Sequence, residues 1–569
     1  MAWIPLHAFR MRTPISLFVV AACSSPGSNV PVPARTSAAI TPADVRARIY
    51  LIADDSMRGR QAGFAGNFMM TNYLAAEAAR LRLEPAGENG TYFQTVPMIR
   101  RSVDTTSSLV VAGDSLALFT DFAPMRPTTT LRVSRSVIAD SLVPVYAGRA
   151  GDTARTITAE QAAGRLVVFT APLGANGLPT GVYAAVAADA VARFPTAAAI
   201  AIASLDFITP AAANSLRAAS AGLSGSDAIA GPAPAGILLS APAAEKIFGA
   251  RLDSVAIGTA GRPVAAKISF VDRPVEAAAR NVVALLRGSD PKLRGQIIAI
   301  GAHSDHLGIA RVVTDHDSLR AFDRVMRPEG AQTPATTPTP EQSRRIRTIL
   351  DSLRRIRPPR ADSIFNGADD DGSGSVAALE IAESLVASAR PRRSVLFVWH
   401  TSEEANLLGS GWFTDHPTVP RDSIVAQLNM DMVGRGTADD VPRGGPRNLQ
   451  IIGAQRRSTE LGNVIDSVNA RRAEPYVIDY SFDAPRHPLN RYCRSDHYMY
   501  ARYGIPIAFF SRGYHIDYHV VTDEPQYINY EGLASVAGFV RDVAVALANR
   551  TGRLVLDKPR PDPKAPCRQ

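Results

Sequence analysis

An apolar run that ends in a polar cluster occupies positions 297–306 and reads Ile297-Ile298-Ala299-Ile300-Gly301-Ala302-His303-Ser304-Asp305-His306. The apolar part has the length and β-branched content of a strand that is buried on both faces. Strands of this kind occur in parallel sheets, where helices cover both sides. The run therefore predicts a buried strand that is followed directly by His303 and Asp305.

Strand-like and helix-like segments alternate on either side of this run. Apolar runs typical of strands occupy Asn281–Leu286, Ser394–Trp399, Ile424–Met430 and Ile505–Phe510. Segments with helical periodicity occupy Gly374–Ala389, Thr459–Arg471 and Tyr530–Asn549. This alternation predicts an α/β fold, a mostly parallel mixed sheet flanked by helices.

Acidic and histidine residues follow the predicted strands. Glu403 and Glu404 come after the strand at 394–399, and Asp431 comes after the strand at 424–430. Three aspartates at 369–371 open a helix, and the histidines at 515 and 519 follow the last strand. Because the carboxyl ends of parallel strands lie along one edge of a sheet, we expect these side chains to converge there.

The composition of this cluster predicts a metal site. Carboxylates gathered at one buried edge repel each other unless a cation neutralises them. Nine of the ten histidines lie between His303 and His519. Imidazoles and carboxylates without a thiolate favour Zn²⁺, and Mn²⁺ or Co²⁺ are possible alternatives.

The ordered motifs also resemble a known family. The series is His303-x-Asp305, Gly367-Ala368-Asp369-Asp370-Asp371-Gly372-Ser373-Gly374, Glu403-Glu404, Asn429-Met430-Asp431 and Tyr518-His519. It resembles the di-zinc exopeptidases that include bacterial leucine aminopeptidases, aminopeptidase Y and glutamate carboxypeptidase. The resemblance covers about residues 41–550, and Met57-Arg58-Gly59-Arg60 and Asn89-Gly90-Thr91-Tyr92-Phe93-Gln94 match the family's early segment.

The resemblance implies a role for each motif residue. Asp370 would bridge two Zn²⁺ ions. His303 and Asp431 would complete one ion, and Glu404 and His519 the other. Glu403 would be the general base, and Asp305 would orient the imidazole of His303.

The implied activity is hydrolysis of peptides by an exported zinc exopeptidase, most simply an aminopeptidase. Three alternatives stay open. A glutamate-carboxypeptidase-like exopeptidase would use the same metal set, and a glutaminyl-cyclase-like transferase would use one zinc ion. A receptor-like ectodomain would have the architecture without catalysis.

The chain divides into several predicted regions. The peptidase domain is expected at 41–135 and 272–551, with a tail at 552–569. Between its two parts, residues 136–271 are rich in Ala, Val, Gly and Ile and resemble an inserted protease-associated domain, a small α/β unit. A second excursion at 309–366 carries an arginine-rich helix at 343–357, which we expect either to contact substrate as a lid or only to pack on the surface.

The N-terminus predicts export. Arg10 and Arg12 precede the short apolar stretch Ile15–Ala22, typical of a signal peptide at 1–22. Val20-Ala21-Ala22-Cys23 resembles a lipobox, so Cys23 would be lipidated and residues 23–40 would tether a periplasmic or cell-surface lipoprotein to the membrane. Ordinary secretion is the alternative.

Charge and cysteine content add two expectations. The net charge of +9 comes from scattered arginines, so no nucleic-acid partner is expected. Cys493 and Cys567 could pair, although sequence alone does not place them close together.

Six histidines receive no role and are expected on the surface or in the core: His306, His316, His400, His416, His487 and His515.

Overall fold

A computed structural model describes most of the chain. The described residues are 36–569 without 128–130, 132, 135, 175, 225–232, 438, 439, 443, 564, 566, 568 and the side chain of Ala211. The predicted signal peptide and Cys23 lie outside the described residues.

The described residues form helices and strands whose bounds are as follows. The helices are α1 (Pro42–Ile52), α2 (Ala65–Arg80), α3 (Ala159–Ala162), α4 (Ala184–Arg193), α5 (Pro210–Arg217), α6 (Ala241–Phe248), α7 (His316–Met326), α8 (Pro340–Ile356), α9 (Gly372–Ala387), α10 (Leu408–Asp415), α11 (Thr459–Ala470), α12 (His497–Ala501) and α13 (Tyr530–Asn549). The strands are β1 (Glu84–Pro85), β2 (Phe93–Val96), β3 (Met98–Val103), β4 (Ser108–Val111), β5 (Asp114–Leu116), β6 (Phe122–Pro124), β7 (Val137–Leu142), β8 (Pro144–Arg149), β9 (Leu166–Thr170), β10 (Ala199–Ala203), β11 (Ser220–Leu223), β12 (Ala235–Leu239), β13 (Val264–Ile268), β14 (Phe270–Pro274), β15 (Ala279–Leu286), β16 (Ile297–His303), β17 (Gly308–Asp315), β18 (Ala361–Phe365), β19 (Ser394–His400), β20 (Ile424–Met430), β21 (Asn448–Ile452), β22 (Val477–Asp479) and β23 (Ile507–Ser511).

The main sheet confirms the prediction of a mixed sheet flanked by helices. Its strand order is β1-β15-β19-β16-β20-β23-β21-β22, and β2 also pairs with β15. The four central strands β19, β16, β20 and β23 are parallel. The strands that flank them, β15 and β21, pair with them antiparallel. The parallel part therefore lies at the centre, where helices cover both faces.

The central strands are apolar because both of their faces are covered. Every position of β16, β19 and β23 is buried. The core on one face joins these strands to α1, α2, α9 and α13. In an open sheet whose faces are covered by helices, ligands bind at the carboxyl ends of the strands. Functional side chains are therefore expected there.

A buried ion-pair network joins three helices of this core. Arg48 of α1 donates to Glu77 of α2 at 2.5 Å and to Glu380 of α9 at 2.6 Å. Its third nitrogen lies 2.8 Å from Glu383 of α9. Because the guanidinium is fully buried, these carboxylates supply the charge that it needs.

A second unit contains the segment predicted as an inserted domain. Its five-stranded sheet has the order β6-β12-β10-β9-β8, and a four-stranded sheet has the order β5-β4-β13-β7. These pairings include β4, β5 and β6, which precede residue 136 and which the sequence analysis assigned to the peptidase domain. β4 pairs with β13, β6 pairs with β12, and β5 pairs with β4, so the sheets of the second unit include these three strands.

The excursion at 309–366 forms a two-stranded sheet, β17 with β18, and the helices α7 and α8. Arg354 at the end of α8 bonds to Asp315, and Arg357 just after it lies 2.6 Å from Asp317 of α7. Among the described residues, none of the helices is both long and apolar enough to span a membrane.

Candidate metal centre

The ends of the central strands carry the predicted site residues. His303 is the last residue of β16, Glu403 and Glu404 follow β19, and Asp431 follows β20. Asp370 precedes α9, and His519 lies eight residues after β23. Five of these side chains line one cleft: Asp370, Glu403, Glu404, Asp431 and His519. His303 lies beneath them, with Nε2 3.1 Å from Oδ1 of Asp370.

One group of donor atoms surrounds the first oxygen of Asp370. Nε2 of His303 lies 3.1 Å from Oδ1 of Asp370 and 3.8 Å from Oδ2 of Asp431. Nδ1 of His303 donates to the backbone carbonyl of Asp305 at 3.1 Å. The lone pair of Nε2 is thus turned toward carboxylate oxygens, an arrangement that a cation would stabilise.

A second group surrounds the other oxygen of the same carboxylate. Nε2 of His519 lies 3.0 Å from Oδ2 of Asp370 and 3.1 Å from Oε2 of Glu404. The two oxygens of Asp370 therefore face different sets of donors. Histidine nitrogens and carboxylate oxygens are ligands that zinc uses in proteins. A carboxylate shared by the two sets is compatible with two ions bound side by side.

Backbone hydrogen bonds hold the loop that carries Asp370. The carboxylate of Asp371 accepts from the amides of His303 and Gly374, so it caps α9 and joins the loop to β16. The carboxylate of Asp369 accepts from the amide of Gly434 at 2.6 Å. These two aspartates shape the loop, and Asp370 between them is free to face the cleft.

Part of the chain is similar to known peptidases. Residues 281–544 match the model of Peptidase family M28. The match covers 264 of the 569 residues, just under half of the chain. A probable leucine aminopeptidase of Arthroderma otae is 29% identical over 227 residues, which are 37% of this chain and 56% of the relative. Leucine aminopeptidase 1 of Paracoccidioides brasiliensis is 31% identical over 196 residues, 32% of this chain and 47% of the relative.

The chain thus spans about half the length of the curated relatives that it matches. Among solved structures, the aminopeptidase from Aneurinibacillus sp. strain AM-1 aligns with 91% of this chain and 97% of its own length, at 16% identity and a TM-score of 0.47.

The structure places Asp305 beside the ring of His303, as the sequence analysis expected. The carboxylate oxygen Oδ1 lies 3.7 Å from Nδ1. The backbone carbonyl of Asp305 holds the ring. The carboxylate turns toward Glu403, whose amide donates to Oδ1 at 3.1 Å. Asp305 therefore contacts both the ring of His303, which belongs to the first donor group, and the backbone amide of Glu403.

Glu403 lies beside the metal positions without joining either group. Its Oε2 is 4.0 Å from Nε2 of His303. Burial raises the pKa of Glu403 well above its ordinary value, and the charges of Asp431 and Glu404 add to this effect. A raised pKa is the direction of shift expected for a carboxyl group that transfers protons.

The raised pKa values of His519 and Asp431 show that the centre carries a high density of negative charge. Although burial disfavours the imidazolium, the carboxylates of Glu404 and Asp370 raise the pKa of His519 to about 10. Burial and the charge of Asp370 likewise raise the pKa of Asp431 to about 6, against the pull of His303. Such concentrated negative charge fits the binding of divalent cations.

Two histidines with no expected role also contact the centre. Nδ1 of His306 lies 2.7 Å from Oε1 of Glu404, and Nε2 of His515 lies 3.2 Å from Oδ2 of Asp369. Both rings are buried, so the surface interpretation is wrong for them. The signal for His306 was its place in the same polar cluster as His303, three residues further on.

Other supporting residues gave little signal in the sequence. The carboxylate of Asp523 accepts from the amides of Asp369 and Asp370, and Arg60 donates to the carbonyls of Asn366 and Gly367. Ser495 donates to Asp431 at 2.7 Å. Arg60 belongs to the early motif at 57–60, which the family resemblance had pointed to.

A third cluster, His316 with Asp362 and Glu524, lies apart from this centre. Nη2 of Arg360 is 2.6 Å and 2.9 Å from the two ring nitrogens of His316. The guanidinium of Arg360 supplies positive charge beside this cluster, which joins the excursion to Glu524 in the segment after β23.

The cleft above the metal positions has a volume of about 280 Å³. This is just below the range of about 300–1,000 Å³ that is typical of small-molecule sites. Its described lining includes Leu407, Met432, Phe509, Tyr514 and Tyr518 beside the site residues. Cys493 also lines the cleft and forms a disulfide with Cys567, with their Cα atoms 5.8 Å apart.

Proposed function

We propose that the chain is a zinc-dependent exopeptidase of the aminopeptidase type, with two Zn²⁺ ions per chain. The observation that carries this proposal is the carboxylate of Asp370, whose two oxygens face two separate sets of donors, His303 with Asp431 and His519 with Glu404. Zinc at these positions would supply Lewis-acid polarisation of the scissile carbonyl and acidify water.

The chain's own residues would move the proton. Glu403 would accept a proton from water and deliver it to the leaving amine, because its carboxylate lies beside the metal positions and outside both donor sets. The bond between Asp305 and the Glu403 amide would hold this base in place. The peptide bond would be hydrolysed without a covalent intermediate.

Two of the alternatives fit the site less well. A cyclase with one zinc does not need a carboxylate shared between two donor sets. A receptor-like ectodomain does not need the complete set of donors that is present. A carboxypeptidase would use the same metal positions, and the relatives that share this segment are named leucine aminopeptidases, which supports action at the N-terminus.

A substrate screen tests the proposal. The purified protein with zinc is given amino-acid amides, N-blocked peptides and peptides with a blocked C-terminus. Cleavage of the amides and of C-blocked peptides, lost after chelation and restored by zinc, is expected. Cleavage of N-blocked peptides from the carboxyl end would show a carboxypeptidase, and no cleavage of any substrate would contradict an exopeptidase.

We also propose that the protein is exported as a lipoprotein and that the second unit is a protease-associated domain. The signal-like residues 1–22 and Cys23 support export, and a disulfide between Cys493 and Cys567 is typical of oxidising compartments. The compact α/β sheet of the second unit supports the domain assignment. Replacement of Cys23 by serine should release the protein from the membrane fraction, and unchanged membrane retention would contradict lipidation.

A further inference from the structure

One wall of the cleft is positively charged. Outside the residues already assigned to metal binding or proton transfer, the charged lining residues in the described part of the chain are Arg491 and Arg494. They lie just before α12 in the chain. Neither has a part in the chemistry proposed above.

The two arginines differ in how their charge is used. Arg491 is buried, bonds to Gln450 and to Ser511, and lies 4.5 Å from the ring centre of Tyr514. Its guanidinium is therefore part of the packed wall. Arg494, by contrast, is exposed and lines the cleft. Hydrogen bonds to neighbouring side chains, and not burial, fix its orientation.

In the described part of the chain, the groups that contact the Arg494 guanidinium are neutral. Nη1 donates to Oε1 of Gln332 at 2.7 Å, and Nη2 lies 3.4 Å from the hydroxyl of Tyr518. Within the described residues, no carboxylate oxygen lies within 4 Å of this group. Because a guanidinium carries five N–H donors, Arg494 can still bind an anion from the cleft.

The excursion at 309–366 positions this arginine. Gln332 belongs to a short turn, Gly330–Gln332, and the amide of Ala331 donates to the carbonyl of Tyr518 at 2.9 Å. Gly330 has φ +53°, and a Cβ there would lie 2.5 Å from the same carbonyl. The excursion thus reaches the cleft through this turn, whereas no residue of α8 is among the described lining residues.

We propose that Arg494, oriented by Gln332, forms a carboxylate-binding subsite, so that the enzyme prefers short peptides with a carboxylate close to the scissile bond. This inference rests on the proposed exopeptidase function. The planar guanidinium matches a carboxylate in two parallel hydrogen bonds, and Arg494 lines the same cleft as Asp370 and Glu403. The carboxylate could be an acidic side chain of the N-terminal residue or the C-terminus of a dipeptide.

Paired substrates test the subsite and separate these sources. Wild-type protein with zinc is given Glu-p-nitroanilide against Gln-p-nitroanilide, and Leu-Leu against Leu-Leu-amide. In one pair we expect kcat/KM about ten- to a hundredfold higher for the member with the carboxylate, mainly through a lower KM. The pair that shows the preference identifies the source.

Variants show whether Arg494 causes the preference. Arg494→Gln should abolish the preference and leave kcat on the neutral members within about threefold of wild type, and Arg494→Lys should restore part of it. Arg347→Gln, an exposed arginine of α8, should change nothing. No preference in wild type, or an equal loss for all substrates in Arg494→Gln, would overturn the proposal.

Binding to a variant with the base removed keeps this test separate from turnover. The dipeptide and its amide are titrated against Glu403→Gln protein with zinc by calorimetry, and the nitroanilides are titrated in the same way. Tighter binding of one carboxylate-bearing member, lost in the double variant with Arg494→Gln, supports the subsite even if the wild-type protein hydrolyses none of them. Equal binding within both pairs would contradict it.

Discussion

At the scale of single residues, Glu403 is the side chain whose proposed role is chemical and not structural. It joins neither donor set, and its amide is held by Asp305. Replacement by glutamine keeps the shape and removes the basic oxygen. We therefore expect Glu403→Gln to bind zinc like wild type while kcat falls by about 10² to 10⁴.

This prediction is checked by measuring kcat and bound zinc on the same preparation. Asp422→Asn, at an acidic residue outside the described lining of the cleft, is the control and should behave like wild type. A Glu403→Gln enzyme with a wild-type rate would show that another group accepts the proton.

A second residue, Asp323 of α7, makes stability depend on pH. Its side chain is buried, and Oδ2 has no hydrogen-bond partner among the described residues. Burial raises the pKa of Asp323 to about 7, although Arg327 opposes the shift. The native state then holds the proton more tightly than the unfolded chain, so stability is lost as the pH rises from about 4 to about 7.

Asp323→Asn should remove this loss. At about 1.4 kcal/mol per pH unit the gain is about 4 kcal/mol at pH 8 and much smaller at pH 5. Urea unfolding at the two pH values measures it, with the exposed Asp351→Asn on α8 as the control. An equal difference between variant and wild type at both pH values would show that Asp323 does not titrate in this range.

At the scale of elements, the buried guanidinium of Arg48 joins α1, α2 and α9. Arg48→Ala leaves the carboxylates of Glu77 and Glu380 buried without their partner, which costs about 3–5 kcal/mol of unfolding free energy. Arg80 contacts Glu77 and Glu383 but is 39% exposed. Arg80→Ala is therefore the matched control, with an expected cost below about 1 kcal/mol.

Denaturant unfolding of the two variants measures these costs. Because α9 begins directly after Asp370 and Asp371, the loss in Arg48→Ala should also weaken zinc binding. Equal small effects of both substitutions would mean that the buried network contributes no more than a surface ion pair.

At this scale the sequence predicted the central elements well. The strands β16, β19, β20 and β23 were expected because long apolar runs fit strands covered on both faces. The helix after Asp371 was expected from the acidic residues that open it, and Asp371 caps it. The excursion helix was also expected. Of the two roles proposed for it, the contacts of Arg354 and Arg357 with Asp315 and Asp317 support packing on the surface.

At the scale of the whole molecule, prediction depended on contacts between distant parts of the chain. The convergence of His303, Asp370, Glu404, Asp431 and His519 could be inferred, since a parallel sheet places its strand ends on one edge. The contact of Gln332 with Arg494 could not, because 162 residues separate them and no pattern links the two. The same is true of β6, whose pairing with β12 moves residues 122–124 into the second unit.

Local orientation was the other limit of the sequence. Asp305 was expected near His303, but only the folded chain shows that its carbonyl holds the ring and its carboxylate holds Glu403. His306 shows the same limit, since its ring reaches Glu404 only because the segments after β16 and β19 lie side by side.

The most direct measurement of the central claim is the zinc content per chain by mass spectrometry for wild type, Asp370→Ala and His519→Ala. If Asp370 is shared by both positions, wild type binds two ions, His519→Ala keeps one, and Asp370→Ala keeps less than one, with activity lost in parallel. An Asp370→Ala protein that still binds two zinc ions, or a wild type that binds one, would contradict the account.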